Sequence, residues 1–183
     1  RFGMKLQDNR QRYEETLDIV LQALANQTFS YHGRYNQIPE TTTYPRPIQK
    51  PHPPIWVAAQ NPESIANAGT RGFNLFTSGF GRPVDLLSDV ARSFYDAARK
   101  SGNNGPLEFA VQQQVYVAET EKEARESLEH HRWHYRMVAR LRSATERVEK
   151  GMAYADPVEG EPSLDDFFDT HTLTGTPDSL VPK

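Results

Sequence analysis

Six residues, Ala59-Gln60-Asn61-Pro62-Glu63-Ser64, carry the most informative chemistry in this sequence. They close a short apolar run, Ile55 to Gln60, with Asn, Pro and Glu in the order of a helix start. A helix start leaves backbone N–H groups unpaired and a partial positive charge, which suits a phosphate. Pro62 has no N–H, so the amides of Glu63 and Ser64 are the expected donors. The Asn61 and Ser64 side chains add polar groups within reach. The plainer reading is a cap, with Asn61 closing its own helix and Ser64 its own turn. Glu63 opposes an anion unless it points away.

Other clusters carry weaker signals. Thr77-Ser78-Gly79-Phe80-Gly81 is a turn whose small residues let a ligand approach the backbone, but no third Gly completes a dinucleotide fingerprint. His130 and His134, in Glu129-His130-His131-Arg132-Trp133-His134, stand one helical turn apart. HExxH is absent and no third ligand is suitably spaced, so no metal is expected. Arg46 and Lys50 are possible cations for an acidic ligand. The chain shows no Gly-x-Ser-x-Gly elbow, Walker loop or Ser/His/Asp order.

Composition narrows the classes. The 183 residues are 37% hydrophobic and 25% charged, with a net charge of −3, which describes a foldable chain with no nucleic-acid footprint. With no cysteine there is no disulfide, thiolate metal site or Cys nucleophile, a composition that suits a reducing compartment. No apolar run approaches the ~18–20 residues of a membrane helix. Arg1-Phe2-Gly3-Met4 has neither an initiator Met nor a signal-peptide core, and a helix start at Asp178 lies near Lys183. The expectation is a piece of a longer chain.

The elements that must position these residues follow from periodicity. A first helix has Asp8 as N-cap and a stripe of Tyr13, Leu17, Val20, Leu21 and Leu24, ending at Asn26-Gln27. Phe29 to Tyr35 is extended. Residues 36–54 form a strap whose later part, from Tyr44 to Pro54, is too Pro-rich for a helix or a central strand. Ile55 to Gln60 predicts a buried strand. A short helix follows, with Ile65, Ala68 and Gly69 inward and Gly72 at its end. Phe73 to Thr77 predicts a strand, Pro83 opens a helix carrying Leu86, Leu87, Val90, Phe94, Ala97 and Ala98, and Gly102 and Gly105 close it. Glu108 to Ala118 predicts the longest strand. Thr120 with Glu123 caps a helix running to about Lys150. Gly151 to Pro162 is loop, Ser163 caps a turn from Leu164 to Phe168, and Thr176-Pro177-Asp178 opens a last helix. Strands alternating with helices imply parallel βα units, in a doubly wound sheet or a (β/α)8 barrel.

Several of these stretches resemble the luciferase-like flavin monooxygenases. They are Arg12 to Leu24, Tyr31-His32-Gly33-Arg34-Tyr35, the run from Pro45-Arg46-Pro47-Ile48-Gln49-Lys50 through Pro54 into Ile55-Trp56-Val57-Ala58-Ala59, then Asn61-Pro62-Glu63-Ser64 and Ala68 to Gly72. Thr174-Gly175-Thr176-Pro177-Asp178 is similar to the family's late Gly-Thr-Pro-acid element. The resemblance implies an α/β fold, a (β/α)8 TIM barrel of which this chain is one domain, 1–183, holding about three strands that look like the fifth to seventh. A whole barrel needs at least ~200 residues.

By position, the resemblance implies that Ala59 and Gln60 line the isoalloxazine or ribityl region and that Asn61 and Ser64 reach the ribityl chain or phosphate. It implies a monooxygenase using reduced FMN and O2 on a small organic substrate, or a deazaflavin-dependent dehydrogenase. A flavin reductase partner, a homo-oligomer such as a dimer and a cytoplasmic setting belong to the same expectation. Catalytic residues belong to earlier strands and are not assigned. A non-catalytic partner subunit, or a plain βα domain with a linker, remain the alternatives.

Overall fold

The computed structural model describes residues 8–79, 82–142 and 147–181. They fall into two compact units, one up to Ile55 and one from Trp56 onward.

In the first unit, α1 (Asn9–Ala25) precedes the antiparallel hairpin β1 (Thr28–His32) and β2 (Gln37–Thr42). Asp8 stands at the helix start but its side chain makes no cap bond. The second hairpin strand falls within residues expected to begin the strap. Its Pro39 lies between partnered positions at the edge of a two-stranded ribbon, where a missing N–H is tolerated. Glu15 reaches from α1 to the hairpin turn and accepts the backbone N–H groups of Arg34 (2.7 Å), Tyr35 (3.0 Å) and Asn36 (3.1 Å). Burial opposes its charge, yet the amides of Tyr35, Arg34 and Asn36 outweigh it and hold the carboxyl below its usual range. Beyond β2 the strap has no regular structure from Thr43 to Ile55 and contains two cis prolines, Pro45 and Pro51. Arg46 donates to the carbonyls of Ala23 (2.6 Å) and Leu24 (2.5 Å), satisfying orphan acceptors at the end of α1. That places Arg46 in a helix cap rather than at an acidic ligand.

The second unit is built on a parallel sheet, β3 (Trp56–Ala58), β4 (Asn74–Ser78) and β5 (Phe109–Gln112), joined by α2 (Pro62–Thr70) and α3 (Val84–Lys100). This is two consecutive βα units, as the alternation predicts. Both helices pack on one face, around Ala59, Ile65, Ala68, Leu75 and Phe94, with Val57, Val90 and Phe109 against them. The other face is not covered by these helices. Trp56 is 45% exposed and Phe76 39%, so β3 is buried on one side only.

The predicted long strand breaks at Gln113-Gln114. Its first part pairs with β4; its second, β6 (Val115–Val117), pairs in parallel with β9 (Leu173–Gly175), a strand the sequence reading lacked. The chain therefore has a fourth parallel strand and no closed barrel among the described residues. Between β6 and β9 lie α4 (Glu121–Arg142), a hairpin of β7 (Val148–Glu149) and β8 (Met152–Ala153), α5 (Leu164–Asp166) and a π-helical turn, Phe167–His171. The helix expected to reach Lys150 has given way to β7 by Val148; residues 143–146 lie outside the description. Lys150 and Gly151 both have positive φ, which turns the β7–β8 hairpin. The caps at Ser163 and Thr176 form as the sequence predicts, and Thr176 opens α6 (Pro177–Leu180).

Candidate functional site

The turn from Ala59 to Ser64 lies just beyond the C-terminal end of β3, where α/β sheets bind ligands. Ala59 is 6% exposed. Its N–H donates to Phe76 O (3.0 Å) and its carbonyl accepts from the Thr77 hydroxyl (2.8 Å). These bonds lash the turn to β4, and the Ala59 methyl joins the core. Asn61 is exposed, and its Oδ1 accepts the Ser64 N–H at 2.9 Å. The Ile65 N–H goes to the Asn61 carbonyl at 3.1 Å. The cap thus consumes the Ser64 amide that the sequence offered to an anion. The half-buried Ser64 hydroxyl makes no hydrogen bond to the described residues. Arg82 donates Nη2 to the Gln60 carbonyl at 3.3 Å, bringing a positive charge to the turn.

A cavity of about 240 Å3 opens beside this turn. It is faced by Gln60, by Ser78 at the end of β4, by Gln112, Gln113 and Gln114 at the strand break, and by His134 of α4. Three parallel strands thus end at one polar hollow. Gln113 gives Nε2 to the His171 carbonyl (3.1 Å) but its buried Oε1 has no partner. Gly79 is what admits this side chain, because a Cβ there would sit 2.5 Å from Gln113 Oε1. Of the Thr77–Gly81 turn, Phe80 and Gly81 lie outside the described residues.

The histidines form a network instead of a metal centre. Gln114 Oε1 pairs with His131 Nδ1 (2.9 Å) and Gln114 Nε2 with His134 Nδ1 (2.7 Å). The amide oxygen only accepts, so His131 Nδ1 carries the proton; its Nε2 then accepts from the Thr174 hydroxyl at 3.3 Å. His131 is 9% exposed. Burial first, and the neighbouring His130 and His134 next, push its pKa below the usual histidine value. Among the described residues no group of three His, Asp or Glu is placed to hold a metal, and no helix is long and apolar enough to cross a membrane.

The sequence pointed to Gln60, Asn61 and Ser64; it placed Gln112 and Gln114 on a polar strand face suited to a barrel interior near a ligand, and it missed Gln113. The run of three Gln in an otherwise aliphatic strand was the available signal.

Residues 1–183 match the profile of the family described as luciferase-like monooxygenase. A flavin-dependent trigonelline monooxygenase, oxygenase component, from Acinetobacter baylyi is 30% identical over 122 residues, covering 67% of this chain and 34% of that protein. The oxygenating constituent of 3,6-diketocamphane monooxygenase from Pseudomonas putida, solved in complex with FMN, superposes with a TM-score of 0.62 at 22% identity, over 94% of this chain and 51% of that one. An F420-dependent secondary alcohol dehydrogenase, solved with an F420-acetone adduct, gives a TM-score of 0.70 at 15% identity, over 98% and 52%. These two structures share the fold. The chain spans about a third of the length of the curated relatives it matches and about half of the solved structures.

Proposed function

The chain belongs to the luciferase-like monooxygenase family, and from that premise we propose that it forms the flavin-holding wall of a monooxygenase using reduced FMN and O2 on a small organic substrate. The observation that carries this is the Ala59–Ser64 turn, pinned to β4 at the C-terminal edge of a parallel sheet and open to a polar cavity. The residues fit a flavin. Ser64 and Asn61 would hold the ribityl phosphate, with Arg82 on the Gln60 carbonyl supplying positive charge and Gln60 on the side of the ring. Ala59 serves as the packed base of the turn. When bound, the flavin supplies electrons to oxygen, and the protein's work is to orient it and keep water out.

A flavin reductase partner is part of this proposal, supported by the oxygenase-component name of the Acinetobacter relative. So are a homo-oligomer and a cytoplasmic setting, the latter supported by the cysteine-free composition. The F420-dependent neighbour favours a second reading, a deazaflavin-dependent dehydrogenase.

The test uses the complete enzyme. Ser64→Ala and Asn61→Ala each weaken FMN binding by about 1–3 kcal/mol, measured by fluorescence titration, if both touch the phosphate. Unchanged affinity in both removes the assignment. Titration with F420 against FMN decides between the two cofactors.

A further inference from the structure

The connection from α3 to β5 carries Asn104-Gly105, the one Asn-Gly pair in the sequence. Both ends of this connection are fixed. Asn103 donates its N–H to the Ala98 carbonyl (3.0 Å) and its Nδ2 to the carbonyls of Gly69 (3.1 Å) and Thr70 (2.6 Å), satisfying acceptors at the end of α2. Leu107 packs against the core, and the Glu108 N–H donates to Asn74 Oδ1 at 3.0 Å. Between these anchors, Asn104, Gly105 and Pro106 are exposed and make no hydrogen bond to the described residues. A Cβ built on Gly105 would meet nothing within 4 Å.

We infer that Asn104 is a site of spontaneous covalent modification, deamidation through a succinimide formed with Gly105. Base removes the Gly105 amide proton, and the nitrogen attacks Asn104 Cγ. The N–Cγ bond forms, the Cγ–Nδ2 bond breaks, and Nδ2 takes a proton and leaves as ammonia. Water then opens the ring at either carbonyl. One product is aspartate; the other is isoaspartate, whose main chain runs through the former side-chain carbon. No electron is transferred, and water is the only co-reactant. Gly105 has no side chain to shield its nitrogen, and its N–H has no bond to surrender first. Other asparagines lack one of these conditions. Pro62 leaves Asn61 with no following N–H. Asn67 and the residue after it lie inside α2. Asn74 is buried, and the Leu75 N–H is held by the Glu108 carbonyl at 3.0 Å. The reactive pair precedes β5, at the edge of the sheet opposite the Ala59–Ser64 turn, so the inference stands apart from the flavin reading.

The test ages the complete enzyme at mildly alkaline pH beside a synthetic peptide of residues 101–122. Mass spectrometry follows the tryptic peptide 101–122, and an isoaspartate methyltransferase labels the rearranged product. The expected result is conversion of the enzyme within tenfold of the free-peptide rate, with isoaspartate among the products. Gly105→Val, at an open position, slows conversion tenfold or more. Asn104→Ser removes the product from this peptide. Greater than tenfold protection in the enzyme overturns the inference, because the loop is then held shut. Aspartate alone, or a smaller effect of Gly105→Val, overturns the succinimide route. Product that persists in Asn104→Ser overturns the assignment by moving it to Asn103.

Discussion

The Asn61 side-chain oxygen accepts the Ser64 backbone N–H at 2.9 Å, so one residue both starts α2 and faces the proposed cofactor. The two roles separate by substitution. Asn61→Ala removes the cap and costs ~1 kcal/mol of folding stability. Asn61→Asp keeps the cap and adds a negative charge at the proposed phosphate site. We expect Asn61→Asp to melt like the wild type in thermal denaturation yet bind FMN more weakly than Asn61→Ala does. FMN affinity that is the same in all three proteins would detach the turn from the cofactor.

Arg136 and Glu161 form a half-buried, two-pronged ion pair that ties the segment after the β7–β8 hairpin to α4. The Arg136 hydrogen bonds outweigh burial, and with the Val158 amide they bring the Glu161 carboxyl down to about 2. A carboxyl that titrates lower when folded adds stability above its unfolded value of 4.5, and the gain is lost as pH falls from there towards 2. Urea midpoints measured across that window should drop more steeply in the wild type than in Glu161→Gln. Parallel curves would mean the pair is not formed.

His131 titrates in the opposite chemical sense but with the same sign against pH. It is held neutral between Gln114 and Thr174, and its folded pKa lies below the ordinary histidine value of 6.5. The unfolded chain therefore takes up a proton first as pH falls, and stability declines below about 6.5. His171, also buried, adds to the decline, since its desolvation outweighs the pull of Asp166. Comparing urea midpoints at pH 7.5 and 5.5, we expect the difference to shrink in His131→Asn. An undiminished difference would place the titration elsewhere.

Gly69 lets α2 and α3 meet. A Cβ there would lie 2.4 Å from the Phe94 carbonyl and 3.0 Å from the Ala98 nitrogen, both backbone atoms that cannot swing aside. Gly69→Ala should cost ~1–3 kcal/mol by overpacking, read from urea denaturation. Gly105→Ala, with nothing within 4 Å of the added carbon, is the control and should be silent.

How much of this was legible in the sequence depends on range. The cap at Asn61, the buried face of Ile65, Ala68 and Gly69, and the left-handed Gly72 are local, and all form as the spacing predicts. The αβ order gave the parallel sheet for the same reason. The break at Gln113-Gln114 was hidden because alternation continues through it; it arises from pairing with Leu173 and Thr174, some sixty positions on. The second hairpin strand was masked by Pro39 and by Glu15, whose grip on the turn is a contact across twenty residues. In the candidate site, Asn61 and Ser64 were singled out by type and place, and Ala59 and Gln60 by the resemblance. The cap that the sequence predicts at Asn61 spends the Ser64 amide that it also offers to an anion, since a cap and an anion ask for the same proton.

The hand-over at Gln113-Gln114, from β4 on one stretch to β9 on the next, makes this position a splice between two ladders. One residue added or removed there shifts one ladder against the other, and because side chains alternate with a period of two, the strand residues on one side of the joint would turn to the opposite face.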